Sequence, residues 1–193
     1  SKGRDNMIIR FSALAVLSCL LALPVFAAEQ DHSEAQQLPR IELMTVLDAV
    51  SKKTGKVFVV ERNIDPNIVV GQVETRRMDY DTLLIVLRNN QLAAVNYDGL
   101  TSIVSVDRIR QYPLPLIDKL DGSIADEEWV TMLIEIEDAD ARLFVPILRP
   151  MLPKQGHLVG HPDSNMLTIV DRYANLKRVL QLIKKMDAAT PSQ

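Results

Sequence analysis

The chain has 193 residues, enough for one or two small domains. Hydrophobic residues make up 47% and aromatics 5%, so cores can form with few rings in them. The net charge of −3 argues against nucleic acid and gives no attraction to anionic lipid, and a single cysteine, Cys19, excludes a disulfide within the chain.

In chain order, residues 7–27 read as a secretory signal. Arg10 is the positive start, Phe11 to Leu23 the apolar run, and Val25-Phe26-Ala27 the small-residue site, with cleavage after Ala27. The run of about 13 residues is short of the roughly 20 that span a bilayer. Val16-Leu17-Ser18-Cys19 is a poor lipoprotein box, because Leu17 fits badly and the apolar run passes Cys19. Ser1 to Asn6 precede a plausible start at Met7. Cleavage removes Cys19, so the mature chain is expected to have no thiol for catalysis or metal binding. It also removes Lys2, Arg4 and Arg10 against Asp5 alone, which makes the remainder more acidic. Residues 28–40 are a polar leader.

Leu43, Val46, Leu47 and Val50 fall on one helical face, and Gly55 follows where a left-handed cap is wanted. Lys56 to Val60 predicts a strand, Asp65-Pro66-Asn67 a turn, and Val69 to Thr75 a second strand. Asp79 or Asp81 starts a helix through Leu83, Leu84 and Leu87. Leu92 to Tyr97, Asp98-Gly99 and Leu100 to Val106 predict a hairpin. Asp107 to Glu127, with Pro113, Pro115 and Gly122, reads as connector.

In the second half, Val130, Met132, Ile134 and Ile136 alternate as a half-buried strand. Asp138 or Asp140 starts a helix carrying Leu143, Ile147 and Leu148, bent at Pro146 and ended by Pro150. Two short strands flank Pro162-Asp163-Ser164-Asn165. Asp171 is expected to cap a last helix with Leu176, Val179, Leu180 and Ile183 inward. The order is βαββα.

Candidates for chemistry weigh little. His157 and His161 on one strand are about 13 Å apart without a third ligand. Ser164 has no placed base, Asp65-Pro66-Asn67 lacks the ligand pattern of a calcium loop, and Gly156 and Gly160 span a strand where an RNA clamp needs a loop. No cofactor is expected, and the chain does not read as an enzyme.

Three stretches of the second half resemble the KH-like modules in the periplasmic part of secretins, the outer-membrane channels of secretion and pilus machines. They are Ala141-Arg142-Leu143 with Pro146-Ile147-Leu148-Arg149-Pro150; His161-Pro162 with Ser164, Asn165 and Leu167; and Asp171, Asn175, Leu180, Ile183 and Asp187. Thr54-Gly55-Lys56, Phe58-Val59-Val60, Val69, Gly71, Val73, Asp81, Leu83, Leu84 and Leu87, with Tyr112-Pro113-Leu114-Pro115, resemble the secretin domain furthest from the pore. That domain is related to the signalling domain of TonB-dependent receptors. The resemblance implies an α+β fold of two small modules: a secretin/TonB-short-type domain over 41–115, a linker over 116–127, a KH-like domain over 128–187 and a tail over 188–193. One departure is that Pro39 leaves the opening strand at Leu38 to Ile41 short or absent, so the first sheet is expected to have an open edge.

The resemblance further implies a non-catalytic periplasmic protein of type II secretion or a pilus-like system, ending before any pore. Expected partners are secretin subunits, an inner-membrane secretion component or further copies of the chain, with no nucleic acid and no membrane span after signal cleavage. A receptor-type signalling module and a split secretin are the alternatives. Val69, Gly71, Val73, Leu100, Ile103 and Trp129 are the candidate partner-binding residues, because edges of small sheets and a tryptophan at a strand start are pairing surfaces.

Overall fold

A computed structural model describes residues 38–189; the expected signal, most of the leader and the last four residues lie outside them. The architecture is α+β: within one compact unit, residues 40–111 and 116–187 each build open sheets and helices around a core of their own, as a first and a second module.

The first module opens with β1 (Arg40–Glu42) and α1 (Leu43–Thr54), whose inward stripe is Leu43, Val46, Leu47 and Val50. Gly55 ends α1 at φ +71°, a conformation that a residue with a Cβ rarely adopts. Then come β2 (Val57–Val60), β3 (Asn67–Val69), α2 (Tyr80–Asn89), β4 (Leu92–Tyr97) and β5 (Leu100–Ser105). Asp79 caps α2 by accepting from the Thr82 N–H at 2.8 Å. Asp98 and Gly99 take positive φ in the turn joining β4 to β5, as a two-residue hairpin requires.

The opening strand is short, as expected, and it pairs antiparallel with β3, Arg40 opposite Val69; sheet order corrects two other expectations. The expected strand from Val69 to Thr75 is three residues long and lies earlier. Gly71 at φ +71° turns the chain away, and residues 75–77 form a 3₁₀ turn. The Leu100 to Val106 strand is no edge. β5 is the middle of the order β2-β5-β4, parallel to β2 and antiparallel to β4.

The second module is β7 (Trp129–Glu135), α3 (Ala141–Leu148), β8 (His157–His161), β9 (Met166–Arg172) and α4 (Tyr173–Asp187), which is the expected βαββα order. Residues 116–127, read as linker, instead add a two-residue strand, β6 (Leu116–Ile117), parallel to β7, giving the order β6-β7-β9-β8. Ile117, Leu120 and Ile124 pack on the second core. On α3 the inward residues are Ala141, Phe144 and Leu148, while Leu143 and Ile147 face solvent. Asp171 does not cap α4. It lies buried on β9 and accepts from the Asn175 Nδ2 at 2.5 Å and the Arg172 N–H at 2.6 Å.

Candidate protein-interaction surface

The polar residues that the sequence singles out in the second module hold backbone. Asn165, at φ +49°, donates to the carbonyls of Ile136 and Ala139 at 2.7 and 2.9 Å and accepts from the Ala141 N–H at 2.9 Å. It thereby ties the hairpin between β8 and β9 to the start of α3. Asp187, at the end of α4, accepts from the N–H groups of Glu137, Asp138 and Ala139 at 2.8 to 3.0 Å. Burial raises its carboxyl pKa, but these three donors together more than offset that and hold it below the usual range. Asp171 shows the opposite balance, because burial outweighs its hydrogen bonds and raises its pKa. None of these groups is free to do chemistry. His161 contacts the Thr168 hydroxyl at 2.8 Å and, like His157, faces solvent on β8.

The two modules meet through a mixed contact. Ala93 and Val95 of β4 and Val104 of β5 pack with Val106, Ile109, Trp129 and Val170 in one buried cluster. Around it lies a polar network. The Tyr80 hydroxyl and the Asn96 Nδ2 both donate to Glu128 Oε1, at 2.8 and 2.7 Å, and the Thr101 hydroxyl donates to Asn96 Oδ1 at 2.7 Å. Burial, reinforced by the Glu128 charge, pushes the Tyr80 hydroxyl far above its ordinary pKa and keeps it protonated as a donor. Beside it, Glu127 sits between a guanidinium of each module, Arg88 Nη1 at 2.7 Å and Arg172 Nε at 3.3 Å. The second contact is an ion pair without hydrogen-bond alignment, and among the described residues Glu127 Oε2 has no hydrogen-bond partner. Arg172 also stacks 4.7 Å above the Trp129 ring. Sequence reasoning missed this network. Its members sit in four separate segments, and only the run Asp126-Glu127-Glu128 before a strand hinted at a charged junction.

The six candidate partner residues therefore separate. Ile103 is 0% exposed and faces the helices of the first core, and Trp129 is 2% exposed in the inter-module cluster, so neither offers a surface. Val69 is half-buried in the β1–β3 ribbon, and its N–H and C=O are both engaged by the Asn90 side chain at 2.8 Å. Gly71 and Val73, in the loop after β3, and Leu100, at the start of β5, reach the surface to different degrees. Among the described residues no helix is long and apolar enough to cross a membrane.

Comparison with known proteins bears on the same architecture. Residues 131–192 match the family model of the bacterial type II/III secretion system short domain, Secretin_N. The secretin XcpQ of Pseudomonas aeruginosa is 26% identical over 162 residues, covering 82% of this chain and 24% of XcpQ. The secretin PulD of Klebsiella pneumoniae is 25% identical over 190 residues, covering 95% of this chain and 28% of PulD. The chain thus spans about a quarter of the length of these relatives. A chain of the Klebsiella pneumoniae type II secretion system outer membrane complex, solved with PulD, PulS and the PulC HR domain, superposes with a TM-score of 0.65. At 22% identity, over 79% of this chain and 26% of that one, the likeness is one of fold.

Proposed function

We infer that this chain, whose residues 131–192 match the secretin short-domain family, is a non-catalytic module of a bacterial secretion apparatus that works in the periplasm through protein–protein contacts. The observation that carries this reading is the match of the second module to the secretin short domain, together with secretin similarity over most of the chain. The chemistry of the surface supports it. The polar side chains with several partners, Asn165, Asp187 and Glu128, are spent on backbone and on the junction between modules. Strand edge and exposed apolar side chains remain available to a partner. Partners of the expected kind are secretin subunits and an inner-membrane secretion component.

Site-specific photo-cross-linking in the native host tests this. A photoreactive residue at Val73, on the surface of the first module, should yield adducts with a secretin or an inner-membrane secretion protein in the periplasmic and envelope fractions. Recovery of the chain in the cytoplasm, or adducts confined to proteins outside any secretion apparatus, would overturn the reading.

A further inference from the structure

The three-stranded sheet of the first module has two edges with opposite fates. β4 is buried along Leu92, Ala93, Ala94 and Val95, where Ala93 and Val95 meet the second module. β2, among the described residues, has no strand on its outer side. The Glu61 N–H donates to the Ile103 carbonyl at 2.9 Å. In a parallel ladder the N–H and C=O of one residue point to the same side, and successive residues alternate. Glu61, Val59 and Val57 therefore turn their backbone toward β5, and Phe58 and Val60 turn theirs outward. Among the described residues, two donors and two acceptors along that edge have no backbone partner.

Side chains complete the surface. Val57 and Val59 are 54% and 47% exposed, and Val57 lies in register with Leu100 and, across β5, with Tyr97, both also exposed. This is the sheet face that Val95 and Val104 turn to the second module, so the bare row continues an existing apolar interface. Natural edge strands are shielded by proline, lysine or a bulge. Val57 to Val60 has no proline and no charge, and its four-residue register with β5 is unbroken. The charge at its ends is positive. Lys56 precedes it, with its ammonium 4.4 Å from the centre of the Tyr80 ring, Arg62 follows it exposed, and the Glu61 carboxylate between them is engaged by Arg108.

We propose that β2 is a docking edge for an extended segment of a partner protein, apolar at alternate positions and acidic at its ends, which adds as a fourth strand beside Val57 to Val60. This rests on the reading of the chain as an interaction module and deepens it by naming the edge and the chemistry of its occupant.

The test uses the full chain and a synthetic probe, the peptide Glu-Val-Thr-Val-Thr-Val-Glu, with a lysine-ended counterpart. Amide hydrogen exchange is read residue by residue. The Phe58 and Val60 amides should exchange freely alone and slow about tenfold near saturation with the acidic peptide, the loss of one hydrogen bond being worth about that factor. The buried amide of Ala94 should not change, and the lysine-ended peptide should bind several-fold more weakly at low salt. Val60→Pro removes an outward donor without cutting the bonds to β5 and should weaken the peptide about tenfold. Should that variant not fold, Val59→Ser, a change on the exposed row, should weaken binding several-fold. The proposal is overturned by unchanged exchange at millimolar peptide, by Val59→Ser or a folded Val60→Pro variant binding as the parent does, or by protection that rises with the chain's own concentration, which would make a second copy the occupant. Persistence of the secretion cross-link from Val73 after such a result would sink the β2 edge alone and leave the wider reading standing.

Discussion

Replacing Glu127 with alanine should loosen the two modules from each other before the chain unfolds. The carboxylate has two partners of unequal weight. Arg88 is nearly half exposed, so its 2.7 Å contact contributes at most about 1 kcal/mol. Arg172 is different, with its side chain only 20% exposed, and burial already weakens its hold on its proton despite the Glu127 charge. Stranding a fully buried ion costs about 3–5 kcal/mol. Arg172 keeps one-fifth of its surface in water and its stack on Trp129, so about 2 kcal/mol is the reasonable loss. In a domain of this size that lowers the melting temperature by about 4–8 °C. Trp129 is the chain's only tryptophan and is buried where the modules meet, so its fluorescence reports the junction directly. Glu127→Ala should redden its emission and raise its acrylamide quenching below the melting transition, while Arg88→Ala should do little. A loss under about 0.5 kcal/mol, or a lower melting temperature with unchanged quenching, would refute the account of Glu127 as the tie between modules.

Asp187→Ala strands three backbone donors at residues 137–139 and should cost about 2–3 kcal/mol by urea unfolding, with loss below 1 kcal/mol counting against the contact. Because the folded Asp187 pKa is depressed, its contribution is fully present above about pH 4, the ordinary carboxylate range, and is lost as pH falls through the folded value. The variant's stability should accordingly fall less steeply in acid than the parent's, and parallel acid limbs would contradict this. Val104→Pro should abolish cooperative folding by circular dichroism, since Val104 lies on the central strand opposite Ala93; a folded variant would mean that β5 is an edge after all. The proposed boundary over 116–127 puts the first tryptic cut after Lys119, in the exposed loop past β6, with the two fragments staying associated through the Trp129 cluster. Initial cleavage elsewhere, or immediate separation of the fragments, would count against it.

Local physics made much of the fold legible. The stripe of α1, the αL cap at Gly55, the Asp79 cap of α2, the hairpin at Asp98-Gly99 and the βαββα order all depend on residues within a few positions of one another. Helical and strand periodicity report such neighbours directly. What failed was non-local. The parallel pairing of β2 with β5 joins residues about 43 positions apart and puts the second strand of the hairpin in the middle of a sheet. Asp171 and Leu143 fit a cap and a helix stripe by spacing, yet β9 and the position of α3 turn one inward and the other out. Trp129 looked like a partner anchor because an aromatic at a strand start is equally suited to a surface or a junction, and only the approach of Val95 and Val104 from the other module decides for the junction. The sequence by itself determined which residues would form elements and which family they resemble. The tertiary structure alone decided which strand edge stays bare, since an edge is defined by the strand that fails to arrive beside it.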